Sequence, residues 1–293
     1  SDTLEDYYHQ KERQSTFALL KLDLSKIVKK YLDKNHERIN FQKQVLEKSE
    51  QAEIYKQYGD LIFSNIHNLP ENTQSIEIEN YYDSNNLLKI ELNKDISVSE
   101  NGQRFFKKYN KLRNSHDISI NLIKSYNLEL DYLEEVFTSI ENSETPENLK
   151  EIEIELIEEK YINKTIKQKN NKIKLEKKNL LNIISTDGLE ILIGKNNKQN
   201  DFLTTKLASE NDLWFHTRLI PGSHVILRTD NGKKSLTDND IIEAATMAAR
   251  YSKAKYSSNV CVVYTKVKYV KKPAHSKPGF VIYSKEKAVY VNP

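Results

Sequence analysis

Three stretches in the second half of the chain gather the side chains that could do chemistry. Asp212-Leu213-Trp214-Phe215-His216-Thr217-Arg218 alternates in character. As a strand it places Asp212, Trp214, His216 and Arg218 on one face and Leu213, Phe215 and Thr217 on the other, toward a core. The only Trp of the chain then lies beside a carboxylate, an imidazole and a guanidinium. Such a face can stack a base or ribose and hydrogen-bond around it. The same residues also suit a buried Trp with a self-satisfied Asp–His pair. Gly194 to Asn200 offers exposed amides (Asn196, Asn197), two cations (Lys195, Lys198) and a Gly for close backbone approach. That chemistry fits phosphate or sugar contacts, or an ordinary polar turn and helix cap. Lys266 to Lys277 holds five lysines in twelve residues, interleaved with Tyr269 and followed by Pro278 and Gly279. A cationic loop leaving a strand suits salt-sensitive phosphate binding, and equally a plain solvated loop.

Other chemistries find no template. There is no phosphate-cradling Gly-rich loop and no paired-Cys zinc pattern. His216, His224, His275 and Cys261 have spacings that match no standard metal site, so neither a metal nor another cofactor is expected. Cys261 sits in an apolar strand pattern, the usual place of a small buried hydrophobe. No nucleophile pair is supported, and the chain is expected not to be an enzyme. A single cysteine excludes an internal disulfide and points to a reducing cytoplasm. No run of about 18 apolar residues predicts a membrane span. The chain opens Ser-Asp-Thr, and Met247 is its only Met, which reads as a piece of a longer protein.

The net charge of +3 over 293 residues conceals an asymmetry. Residues 1–160 carry 21 basic and 31 acidic side chains, a net of −10; residues 161–293 carry 24 and 11, a net of +13. A polyanion would therefore meet the second half.

The elements that must position these residues follow from periodicity. Phe17, Leu20, Leu24, Ile27, Tyr31, Lys34, Arg38, Phe41 and Val45 step as a heptad seam. A second seam runs Tyr109, Leu112, His116, Ser119, Ile123, Tyr126, Leu130, Leu133, Phe137 and Ile140. Each stripe needs cover, so the two predict an antiparallel coiled-coil hairpin over 1–162. Arms of about 40 residues would reach about 60 Å. Between them, around 70–101, period-two runs and the turn Asp83-Ser84-Asn85-Asn86 predict a small β-hairpin tip packed by Tyr55, Tyr58, Phe63, Tyr81 and Tyr82. Thr145 and Pro146 open a further helix. Residues 163–180 read as a lysine-rich linker. From 181 to 293, a hairpin about Asp187-Gly188, a helix over 200–208, strands at 213–217 and 224–228, a helix over 237–253 and three closing strands predict a compact domain with a mostly antiparallel sheet. The fold class is α+β.

Four separated segments, DGLEILIGKNNKQND, NDLWFHTRLIPGSHVILR, EAATMAARYSKAK and VKKPAHSKPGFVIY, closely resemble the RNA-binding (NFACT-R) domain of the NFACT family. YKQYGDLIFSN, NYYD and FFKKYNK resemble its coiled-coil middle region. The resemblance implies ribosome-associated quality control: binding to the stalled large (50S) subunit through rRNA and a stalk-base protein, and recruitment of tRNA, alanyl-tRNA in bacteria, for C-terminal alanine tailing. It implies a ribosome-associated cytoplasmic protein. The family's tRNA-handling N-terminal domain and helix-hairpin-helix element are expected to be missing, so this piece should bind RNA without tailing. RNA contacts are expected at Lys195, Asn196, Asn197, Lys198, Asp212, Trp214, His216, Arg218, His224, Arg228, Lys271, Lys272 and Lys277. A fibronectin-binding surface adhesin, another role attached to the family, is the alternative.

Overall fold

The computed structural model describes residues 2–163, 175–229 and 236–293. Most of the lysine-rich 163–180 segment lies outside them. Contacts divide the chain into two compact units, Lys34–Leu128 and the pair of segments Ser1–Asp33 and Glu129–Pro293. Helices α1 (Asp2–Ser49) and α3 (Val98–Asn142) contribute to both.

In the unit Lys34–Leu128, α1 and α3 pair through a polar seam. Ser119 Oγ donates to Gln42 Oε1 at 2.8 Å, and the Arg38 guanidinium lies over the Tyr126 ring. The α3 stripe is as expected, but the α1 register is not. Asn35 and Ile39 are buried, whereas Lys34 and Arg38 are exposed and Phe41 is 61% exposed. The slip begins at Val28, which is fully buried in place of Ile27. At 3.6 residues per turn a straight helix drifts off a strict heptad.

Helix α2 (Ala52–Ser64) packs on α3 by two reciprocal contacts. A Cβ on Gly59 would stand 2.8 Å from the Phe106 ring, and one on Gly102 2.6 Å from the Phe63 ring. Phe63 and Phe106 stack on each other at 5.7 Å. Strands β1 (Ser75–Asn80) and β2 (Asn86–Glu91) form the expected antiparallel hairpin, with Ile76, Ile78 and Ile90 packed on Leu61, Ile62 and Val98. Its turn closes from Asn86 N to Asp83 O, with Ser84 and Asn85 both at positive φ, a type I′ geometry. Tyr58 joins this core, but Tyr81 and Tyr82 are half-exposed, with their rings 4.5 Å apart and tilted by 35°.

In the other unit, Leu24 and Val28 of α1 and Tyr132, Leu133, Val136 and Ile140 of α3 meet Leu149, Ile152 and Leu156 of α4 (Pro146–Glu158). Thr145 caps α4 by accepting from Asn148 N, with Pro146 in the first turn. Six strands follow in one antiparallel sheet: β3 (Leu181–Ile184), β4 (Glu190–Ile193), β5 (Leu213–Thr217), β6 (Val225–Leu227), β7 (Val260–Lys266) and β10 (Lys287–Val291). Their order across the sheet is β10-β7-β5-β6-β4-β3. Of the Asp187-Gly188 pair only Gly188 takes positive φ, behind a turn in which Gly188 N donates to Ser185 O.

Both faces of the sheet are covered. Ala244, Ala245, Ala248 and Ala249 of α6 (Asp238–Arg250) lie close on one, against Ile191, Phe215 and Val262. On the other, α5 (Asn197–Phe202), a π-helical turn (Leu203–Leu207) and the arm of β8 (Val270–Lys271) and β9 (Ile282–Tyr283) cover Leu192, Trp214, Ile226 and Val263. The predicted 200–208 helix thus begins earlier, at the Asn196 cap. The predicted stacking face of β5 is corrected by this second layer. Trp214 is 1% exposed and Asp212 is fully buried, because a sheet covered on both sides buries alternate residues of both sets.

Candidate functional site

The exposed-loop expectation for Gly194–Asn200 also fails, for a reason built from α4. Glu151, Glu155 and Glu159 recur every four residues and share one face of that helix region. Asn196 Nδ2 and Gln199 Nε2 both donate to Glu151 Oε2, at 2.7 and 2.6 Å. Asn196 Oδ1 caps α5 by accepting from Gln199 N. Asn197 Nδ2 donates to Glu155 Oε1 at 3.1 Å, and the Tyr132 hydroxyl donates to the same oxygen at 2.9 Å. Asn196, Asn197, Gln199 and Asn200 are buried, so these amides hold α4 and are closed to a ligand. Glu155 is fully buried, and that desolvation pushes its carboxyl up to about 7. Its Oε2 and the Oδ1 of Asn197 have no hydrogen-bond partner among the described residues.

Most of the expected cations are engaged the same way. Lys198 pairs with Glu158 at 2.7 Å. Lys277 pairs with Glu159 at 2.6 Å and lies 5.1 Å from the centroids of both Tyr132 and Tyr161. Lys272 pairs with Asp201, which also accepts from Gly279 N. Lys195 donates its backbone N–H to Gln199 Oε1 and keeps a half-buried side chain. Arg228 bonds Asp212 at 3.3 Å and the Leu207 carbonyl at 2.9 Å. Asp212 also accepts from Ser209 N and Thr229 N. Arg218 is half-exposed, 3.8 Å from Glu286.

The histidines belong to the covered layer. His216 stacks on Trp214 at 5.7 Å and lies 3.6 Å from Glu135. Burial pulls its pKa down, but the Glu135 carboxylate and two backbone hydrogen bonds outweigh that, so the net shift is upward. His224 Nδ1 bonds Thr204 Oγ1 at 2.8 Å. Burial first, then the neighbouring His216, holds His224 well below its ordinary value. Among the described residues, no group of three or more His, Cys, Asp or Glu is placed to hold a metal ion, and no helix is long and apolar enough to cross a membrane.

A group of open cations lies on β7, β8 and the segments beside them. Lys266, Lys268, Lys271, Lys285 and Lys287 are exposed, and none is in an ion pair among the described residues. Lys268 Nζ and Lys285 Nζ stand 5.3 and 4.6 Å from the Tyr269 ring centroid. Ser284 N donates to Tyr269 O, which brings the two segments together. The basic run read from the sequence takes in Lys266, Lys268 and Lys271, with contact expected at Lys271, but passes over Lys285, whose place in the cluster is a tertiary matter.

Residues 1–175 match the family described as NFACT N-terminal and middle domains, and residues 180–284 match the NFACT protein RNA binding domain. The chain belongs to the NFACT family. Two relatives named Rqc2 homolog RqcH, from Bacillus subtilis and Streptococcus suis, are each 38% identical over all of this chain and 51% and 52% of their own length. The chain thus spans about half the length of the curated relatives it matches. A solved structure of the C-terminal part of the fibronectin/fibrinogen-binding protein from Streptococcus suis superposes with a TM-score of 0.73 at 34% identity, covering 94% of this chain and 95% of that one. Within the NFACT frame, Lys266, Lys268, Tyr269 and Lys271 fall inside the RNA-binding match, Lys285 stands one residue past its end, and the α4 clamp joins the two matched segments.

Proposed function

We propose that this chain is the middle and RNA-docking part of a ribosome-associated quality-control factor, which binds RNA of the stalled large subunit. One observation carries this reading. The segment matching an RNA-binding domain, together with Lys285 just past its end, presents exposed lysines, in no ion pair among the described residues, around an aromatic ring, the pattern that meets a phosphate backbone. Lys268, Lys271 and Lys285 are the phosphate contacts, and Tyr269 holds two of them in place. The α4 clamp orients this surface without touching the ligand. The finer steps, tRNA recruitment and alanine tailing, extend the same reading to the longer relatives.

The role is one of binding rather than turnover. Asp212 is committed to Ser209, Thr229 and Arg228, and His216 to Trp214 and Glu135, which are structural uses of the groups an acid/base pair would need. The structural relative, named for fibronectin and fibrinogen binding, supplies the second reading, a fibronectin-binding adhesin. Equilibrium binding to a labelled rRNA fragment at two salt concentrations tests the first. Lys268→Glu with Lys285→Glu should lower affinity steeply and flatten the salt dependence by about one to two phosphate contacts. Unchanged affinity with saturable, salt-resistant binding of fibronectin would favour the second.

A further inference from the structure

A groove of about 630 Å³ opens between α2, α3 and β2, wholly within the unit Lys34–Leu128. Its volume is that of a ligand site. Tyr55 and Tyr58 of α2 and Phe105 of α3 line it. The Tyr55 and Phe105 planes are within 13° of parallel at 6.2 Å, and Tyr58 stands edge-on to Phe105 at 5.4 Å. Lys89, Arg104 and Lys108 line it too, all exposed, against the single carboxylate of Glu91. None of the three cations is in an ion pair among the described residues. The Lys108 ammonium instead lies 3.8 Å from the centroid of the Tyr55 ring.

We propose that this groove binds unpaired nucleotides of an RNA. A base takes the place of the Lys108 ammonium on the face of Tyr55. The displaced ammonium, with Arg104 and Lys89, meets the flanking phosphates. The excess of positive charge selects a polyanion, and the aromatic face selects a planar one. An acidic peptide would satisfy the cations but gain nothing from uncovering Tyr55. This second contact lies outside the segment that matches the RNA-binding domain, so it does not rest on the Tyr269 surface.

The probe is a decamer of uridine containing 4-thiouridine, with the full chain. Anisotropy gives the affinity, and photo-crosslinking with peptide mapping gives the place. The expected crosslink is on the peptide containing Tyr55. Lys108→Glu and Tyr55→Ala should each weaken binding about tenfold, while Tyr55→Phe stays within about twofold because the ring is kept. Circular dichroism checks the fold of Tyr55→Ala. Should that variant unfold, Lys108→Glu, a surface change, decides alone. Lys268→Glu with Lys285→Glu should lower overall affinity and leave the Tyr55 crosslink in place. Crosslinks confined to residues 180–293, no effect of Lys108→Glu, or a glutamate-rich peptide of equal charge competing as well as the RNA would each overturn the proposal.

Discussion

Glu151 is the point at which the α4 clamp can be weighed. Its Oε2 accepts two buried amide donors, Asn196 Nδ2 and Gln199 Nε2. Glu151→Ala leaves both donors without that acceptor. A buried group stripped of its partner costs about 1–3 kcal/mol, so two donors put the expected loss at about 3 kcal/mol. Glu151→Gln keeps one carbonyl oxygen that can accept from both and should lose about 1 kcal/mol, the charge-assisted part. The chain supplies its own reporter. Trp214 is the only Trp, and it is buried in the sheet layer that the clamp holds. Urea unfolding followed by Trp214 fluorescence should show a lower midpoint for Glu151→Gln and a markedly lower one for Glu151→Ala, with the slope unchanged. An alanine variant within about 0.5 kcal/mol of the parent, the scatter of ordinary surface substitutions, would refute the claim that these buried amides are held by α4.

Three further outcomes follow from the same geometry. Glu155 has a folded-state pKa raised to about 7 by burial, so the folded state binds more protons than the unfolded one between about pH 4.5 and 7, and stability falls as pH rises through that window. Glu155→Gln should therefore be more stable than the parent at pH 8 by about 1–3 kcal/mol. The difference should shrink toward zero near pH 5, and His224 cancels because both proteins carry it; urea midpoints at the two pH values check this. Gly279→Ala should cost about 2 kcal/mol by thermal unfolding, since Gly279 has φ of 81° and a Cβ would stand 2.7 Å from Asn197 Oδ1. Lys277→Met should destabilise by about 1 kcal/mol through loss of the Glu159 pair and the two ring contacts, yet leave RNA affinity within about twofold.

Some of this is legible in the sequence, and the rest is hidden for identifiable reasons. The α3 stripe from Tyr109 to Ile140, the Thr145-Pro146 helix start and the order of strands and helices after residue 180 are readable, because each rests on local pattern. The α1 register is not, since Val28 and Ile39 compete with Ile27 and Phe41 for the same stripe, and only the facing helix decides. Trp214 reads as part of a ligand face because Asp212, His216 and Arg218 look polar; a second covering layer and specific partners bury the first two. The amides of Asn196, Asn197 and Gln199 look exposed because their acceptors lie more than 40 residues upstream on α4. Lys277 looks free for the same reason, its carboxylate being Glu159.

The most direct measurement is equilibrium binding of this chain to purified large ribosomal subunits of Bacillus subtilis, with hydroxyl-radical footprinting of the rRNA. Binding should be saturable and salt-sensitive and should protect discrete rRNA sites. It should fall by at least about tenfold when Lys268, Lys271 and Lys285 are all changed to Glu. Absence of protection, or affinity untouched by the triple change, would contradict an RNA-docking role for this chain.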